Sequence, residues 1–280
     1  MTLLMSALLT LAQGDSSTPT LLQGSSDPPW LADRGEGIHT SLFGTHVSEG
    51  QLLLYLFYEY TVNHDAEYKP EELGFAGSTD FTARRVDNEA LMFLAYGLSR
   101  DVMVEFESAL YADATQDKSS ADTSAMPDPL SESGLGDTEG QIRWRFKHET
   151  ENWPELTAFF EVVLPLQQSD VLIGTQDWEF SPGINITKGF SWGTLSQKLS
   201  LSYTAEDSLN FGEWSFEYLK QASDAWRLVL AVEGEQDEIQ GIAEAQWRVA
   251  RGVTIKLNSG FGLTPKAPDW APEVGILFSF

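Results

Sequence analysis

The sequence predicts an all-β fold: a single transmembrane antiparallel β-barrel of about twelve strands, of the bacterial outer-membrane type. Three observations predict it. Segments of roughly ten residues alternate large apolar side chains with polar ones. The connections between them sort into short and long. The apolar faces are almost free of charge, as lipid requires.

Composition bounds the choice. The 280 residues are 42% hydrophobic and 12% aromatic, enough for one large domain with a sizeable core. Mean hydropathy is slightly negative, which argues against a bundle of membrane helices but not against a barrel, where only every second strand residue meets lipid. A net charge of -25 with no basic stripe argues against nucleic acid as a partner. The chain has no cysteine, which removes disulfides, thiolate catalysis and Cys-ligated metals together.

Residues 1–12, MTLLMSALLTLA, read as a signal peptide, since the apolar run is too short to span a bilayer and ends in the small-residue sequence Thr10-Leu11-Ala12. The run lacks a positively charged start, so an apolar N-terminal arm is the alternative. Residues 13–37, rich in Ser, Thr, Pro and Gly, read as a flexible leader, and 38–280 as the barrel domain.

The strands follow in order. QLLLYLFYEY from Gln51 sets Leu52, Leu54, Leu56, Tyr58 and Tyr60 on one face, and EALMFLAYGL from Glu89 is a second strand or a short helix. VMVEFESALY places Val102, Val104 and Phe106 opposite Glu105 and Glu107. DTEGQIRWRFKH places Ile142, Trp144 and Phe146 opposite Glu139, Gln141, Arg143, Arg145 and Lys147. LTAFFEVVL opposes Leu156, Ala158 and Phe160 to Thr157 and Glu161. Two shorter alternations cover 183–187 and 198–204; then Trp214, Phe216 and Tyr218 oppose Glu213 and Glu217, and Trp226, Leu228, Leu230 and Val232 oppose Arg227 and Glu233. IQGIAEAQWRV, VTIKLNSGFGL and EVGILFSF complete the set.

Connections near 99–101, 149–155, 188–194, 220–225 and 250–252 are short. Those at 61–88, 112–136, 165–177 and 264–271 are long, although 234–237 is a tight turn. Short turns on one side and longer loops on the other, with both termini on the short-turn side, is the asymmetry of an outer-membrane barrel. The polar faces also carry Leu53, Tyr55, Phe57, Phe159 and Val163, which suit a partly filled lumen better than open water.

The C-terminal strand, with Ile276, Phe278 and Phe280 on one face and an aromatic last, resembles the terminal signature by which the barrel assembly machinery recognises its clients. GLGDTEGQIRWRFKHE, FFEVVLPL, VEGE and GFGLTPKAPDWAPEVGILFSF together resemble a family of outer-membrane channel proteins associated with the meta-pathway of phenol degradation. The resemblance covers roughly 134–280 and implies a barrel and transport, with no catalytic residues.

The lumen-lining candidates for ion selectivity are Glu105, Glu107, Glu139, Gln141, Arg143, Arg145, Lys147, Glu161, Glu213, Glu217, Arg227, Glu233, Glu244 and Arg248. Glu105 and Glu107 are expected beside Arg143, Arg145 or Lys147, which would neutralise the basic stripe and leave the lumen acidic overall. Structural pairing inside the wall is the other reading of these charges.

An enzyme is not expected. Ser108 and His148 both fall on outward positions but at opposite ends of their strands, too far apart for a dyad. His39, His46 and His64 show no ligand spacing, so no metal or cofactor is expected. Asp113, Asp117, Asp122, Asp128 and Glu132 make the second long loop acidic, without a calcium-loop spacing; divalent bridging to lipopolysaccharide is the further reading of it. The expected partners are outer-membrane lipid and lipopolysaccharide, the assembly machinery and a small solute. The function read from these features is a passive channel, the alternative being a closed structural or surface-interaction barrel with a plugged lumen.

Overall fold

A computed structural model describes residues 31–34, 46–166, 170–204 and 208–280. The expected signal peptide, most of the leader and His39 lie outside the described residues. No helix among the described residues is long and apolar enough to cross a membrane.

Among the described residues there are thirteen strands: β1 Leu52–Tyr68, β2 Phe81–Gly97, β3 Val102–Gln116, β4 Leu130–Gly134, β5 Thr138–Lys147, β6 Glu155–Val163, β7 Glu179–Phe190, β8 Gly193–Thr204, β9 Ser208–Gln221, β10 Trp226–Glu235, β11 Glu238–Ala250, β12 Val253–Gly262 and β13 Ala271–Ser279. Each pairs antiparallel with its neighbours, and β1 joins β13 through seven residue pairs from Leu53↔Ser279 to Glu59↔Glu273. With β2 also paired to β3, the sheet closes into a twelve-strand barrel. The thirteenth strand, β4, pairs with β3 alone, Ala112–Gln116 against Leu130–Gly134. Closure is what lipid demands, because an open edge would leave backbone donors and acceptors with no water to satisfy them.

The outer surface follows the alternation. Ile142, Leu228, Leu230, Leu257 and Val274 are exposed in the middle of their strands. Toward the short turns stand Tyr96, Trp144, Phe146, Trp192, Trp226 and Trp247. Toward the loops stand Tyr58, Phe160, Tyr203, Phe211, Phe261 and Trp270. An apolar band between two aromatic girdles is the signature of a membrane-embedded barrel wall. Trp226 and Trp247 stack at 5.8 Å across β10 and β11, giving the short-turn girdle a rigid element.

Two connections are shorter than expected. Residues 61–88 and 112–136 read as long loops, but β1 continues to Tyr68, β2 begins at Phe81, and β3 continues to Gln116. EALMFLAYGL belongs to β2, so the helical alternative falls. The 17 residues of β1, at about 3.3 Å each and a tilt of about 40°, rise roughly 43 Å, well beyond an apolar band of about 25 Å. Their outer ends therefore stand clear of lipid and must bury apolar surface among themselves. Tyr68, Leu73, Ala112, Ala114, Met126, Leu172 and Ile173 form that second core.

Loop polar contacts reinforce it. The Tyr68 hydroxyl donates to Asp122 at 3.1 Å, and Glu132 accepts the backbone N–H groups of Val171 and Leu172 at 2.8 and 2.6 Å. Asp113 and Glu132, expected in an acidic loop, instead pair across β3 and β4 with Ser133 and Ala114. Lys266 bridges Asp237 at 2.9 Å and Glu67 at 3.5 Å, and its hydrogen bond and charge hold the Asp237 carboxyl below the usual range.

Gln141 and Ile142 are adjacent on β5 and face opposite ways. Ile142→Arg is expected to cost about 2 to 4 kcal/mol, as for Arg at bilayer mid-depth. Gln141→Arg, which places its cation beside Glu161, is expected to fold almost normally. Denaturant titration of both variants in lipid vesicles checks this; equal losses would reverse the face assignment.

Candidate functional site: the barrel interior

The inward side chains divide the lumen into two unlike halves. At the short-turn end Val47, Leu53, Tyr55, Phe57, Phe93, Ala95, Met103 and Leu277 form one buried apolar cluster against the wall made by β13, β1, β2 and β3. Tyr55 and Phe57 stack at 4.5 Å. They do so over Gly275, where an added Cβ would lie 2.4 Å from the Tyr55 ring. A side chain at that position would displace the pair.

The segment preceding β1 fills the same end. Gly50 donates its backbone N–H to Gly97 at 2.8 Å, and a Cβ on Gly97 would lie 1.9 Å from the Ser48 carbonyl, so only glycine admits this crossing. Val47 N–H points at the Met103 sulfur at 3.1 Å. Further up the chain, Asp33 accepts from the Gln221 backbone and pairs with Lys220 at 3.0 Å. Arg34 pairs with Glu149 and, at 3.4 Å, with Glu155. Residues 31–34 thus lie across the mouth between the ends of β9 and β6. Burial, then the charges of Arg145 and Arg143, push the His46 imidazole down to about 3.

The loop-side half contains a cavity of about 350 Å³. Its lining holds nine carboxylates, Glu59, Glu89, Glu107, Asp137, Glu139, Glu217, Glu233, Glu244 and Glu273, and the single cation Lys256. Phe57, Leu91, Val229 and Ile242 supply its apolar wall. Lys256 is committed to Glu244 at 3.2 Å. Glu273 accepts from the Tyr55 hydroxyl, and Glu233 accepts from Gln240 at 2.8 Å. Among the described residues Glu59, Glu89, Glu107, Glu139, Glu233 and Glu273 have no cation within ion-pair distance. Carboxylates converging in a confined space attract cations strongly, because low-dielectric walls focus the field.

The structure distributes the sequence candidates unevenly. Arg143 meets Glu105 at 3.2 Å, and Glu213 meets Lys198 at 2.5 Å. Glu161 accepts from Gln141 at 2.5 Å. Arg145 sits at the short-turn rim, with Asp101 at 3.6 Å and Glu155 at 3.4 Å. Glu107 does not join the basic stripe, because antiparallel register sets it opposite Glu139 while Met103 lies opposite Arg143. Lys147 leaves the lumen: the register shifts between Arg145 and Lys147, pairing Lys147 with outward Leu156. Its Nζ rests 3.7 Å from the centre of the Trp153 ring. Arg227 and Arg248 lie at the short-turn mouth, in a recess apart from the cavity.

Sequence reasoning missed Glu59, Glu89 and Glu273 in the cavity, and Lys198 and Lys256 as counter-ions. Parity alone could have found them. Glu59 shares the face of Leu53, Tyr55 and Phe57, and Glu273 lies opposite in parity to Val274. Ser108 and His148 do not meet: Ser108 shares a 2.7 Å hydrogen bond with Thr138, and His148 pairs with Asp101 at 2.6 Å. His64 lies in the outer region beside Asp269, at 2.7 Å. Among the described residues no group of three or more His, Asp or Glu is arranged to hold a metal ion.

No family model and no curated protein matches the sequence. Among solved structures the chain is similar to an outer membrane channel from Pseudomonas putida F1, at 12% identity and a TM-score of 0.61, over 87% of this chain and 100% of that one. It is also similar to the KdgM porin (6%, 0.48, over 81% and 99%) and to outer membrane phospholipase A from Escherichia coli (10%, 0.44, over 81% and 89%). The likeness is one of fold.

The His46 environment sets a pH expectation for the segment in the mouth. The undocked imidazole titrates near 6.5 and the docked one near 3, so docking is fully stable above 6.5 and weakens as pH falls from 6.5 toward 3. A fluorophore on Ser48→Cys, unique because the chain has no cysteine, should report release over that window. His46→Gln should remove that part of the pH dependence.

Proposed function

We propose that the protein is a passive channel for small solutes in the bacterial outer membrane, with its preference set by the acidic loop-side cavity. The fold supports the membrane and the passage, and the observation that carries the preference is the excess of carboxylates in that cavity over the single Lys256. A solute entering from the loop side, which is extracellular in such barrels, meets this negative field first. A wet pore lined by charge of one sign favours the opposite ion.

The sequence resemblance to channels associated with phenol degradation supports transport of a small solute. Outer-membrane lipid and lipopolysaccharide are the partners that the girdled outer surface suits. Phe280 supports a role in assembly through its place at the closing seam, where it exchanges backbone hydrogen bonds with Leu52 at 2.9 and 3.3 Å. The second reading, a plugged barrel, is favoured by one observation: Tyr55 and Met103 are 1% and 0% exposed in the short-turn half.

Planar-bilayer recordings decide between the readings. Reproducible unitary conductance with a cation-selective reversal potential is expected, and silence from folded protein would favour the plugged barrel. Glu107→Gln combined with Glu139→Gln should shift the reversal potential toward anions more than Glu105→Gln does, because Glu105 already has Arg143. An anion-selective wild type would overturn the role of the cavity.

A further inference from the structure

Most interior cations of the barrel have a carboxylate of their own. Arg143 has Glu105, Arg145 has Glu155, Lys198 has Glu213 and Lys256 has Glu244. Arg227 does not. Its residue is 7% exposed, its Nε is buried without a hydrogen-bond partner, and it makes no ion pair with any described residue. The carboxylates whose fields reach it are Asp33 and Glu244. Both are engaged elsewhere, Asp33 by Lys220 and Glu244 by Lys256.

The second arginine is close by. Arg227 lies opposite Gln246 on β11, which places Arg248 as its diagonal neighbour on the same inward face, and Arg248 lies opposite Thr254 on β12. Arg248 likewise forms no ion pair with a described residue. Arg227, Arg248, Gln246, Thr254 and Gln221 line one recess at the short-turn mouth, with the exposed Asp224 at its edge, which pairs with neither arginine. The recess is open on one side and its inner space is about 10 Å³, room for roughly one oxygen-sized group. Two like charges on adjacent strands repel, and an enclosed guanidinium without a counter-charge is costly. A bound anion relieves both, and guanidinium offers planar paired donors that match a carboxylate or other oxyanion.

We propose that Arg227 and Arg248 form an anion-binding site at the short-turn mouth, which takes the carboxylate of a small organic acid, the rest of the molecule projecting into the lumen. The recess itself takes no more than one oxygen of the carboxylate, so the rest of the anion lies in the open lumen beside it. The side chains face the interior, so the ligand comes from the lumen rather than from the lipid. Binding there does not require conduction.

The test uses full-length protein folded in detergent micelles, with a fluorophore on Ala225→Cys at the edge of the recess. Sodium acetate and inorganic phosphate are titrated separately at constant ionic strength. A saturable acetate response is expected, weakened at least tenfold by Arg227→Gln and by Arg248→Gln, and unaltered by Lys118→Gln in the outer region. Arg248 is only partly buried, so its variant keeps the test valid if Arg227→Gln fails to fold. Saturation by phosphate with none by acetate would overturn the organic-acid assignment. No saturable response to either, or responses unchanged in both variants, would overturn the site. The outcome stands apart from the bilayer recordings, since a silent barrel can still bind and a conducting one can fail to.

Discussion

The constraint on which the structure depends is that hydrocarbon offers no hydrogen bonds to a backbone. An isolated strand in lipid would leave its peptide groups unpaired, at several kcal/mol each. The chain meets this by closing its sheet, and the seam between β1 and β13 is where closure is completed. Every other feature follows. Once the wall is closed, the side chains of each strand are sorted by parity into lipid and lumen, and the sorting is strict because a one-residue slip would carry every charge into hydrocarbon.

Closure also fixes where polarity must go. With lipid on one side, the charged side chains of twelve strands converge on a narrow interior, where pairing is worth more than at a water-exposed surface. The short-turn half resolves this by neutralising most of its charge: Arg143 with Glu105, Arg145 with Glu155, Arg34 with Glu149 and Glu155. Apolar packing of Tyr55, Phe57 and Met103 covers the wall made by β13, β1, β2 and β3 there. The loop-side half is resolved differently. Its carboxylates outnumber its cations around a cavity large enough to hold water.

The barrel itself was legible because a period of two is visible in a single strand, and because lipid keeps the outward parity nearly free of charge. Glu107 and Lys147 show where legibility stops. Parity says which way Glu107 points but not what lies opposite, since its neighbour is set by antiparallel register with a strand 32 residues away in sequence, where Glu139 happens to fall. Lys147 fails for another reason. A bulge adds one residue to β5 and reverses parity beyond it, and nothing in the alternation of RWRFK marks the extra residue. Similar shifts occur at Leu110 in β3, opposite Ala90 and Leu91 of β2, and between Arg248 and Ala250 in β11. The outer ends of β1 and β2 carry no strand signal in the sequence because, above the membrane, both faces of a strand meet water or loop and the alternation that lipid imposes disappears.

The lumen therefore carries an excess of carboxylate in its loop-side half and a small cationic patch, Arg227 and Arg248, at the short-turn mouth. Among the described residues, six carboxylates of the loop-side lining have no cation at ion-pair distance, and at the short-turn mouth Arg227 and Arg248, beside the exposed Asp224, form no ion pair. A simple cation is favoured by the loop-side cavity and opposed only beside the two arginines, so the cation preference is weakened there rather than abolished. A molecule bearing both signs, or a neutral one with a strong dipole, can align with the field throughout, its positive end toward Glu107 and Glu139 and its negative end toward Arg227. Selectivity in such a barrel is then a property of the charge order along the axis, and a count of lumenal charges, which reads simply as acidic, leaves that order out.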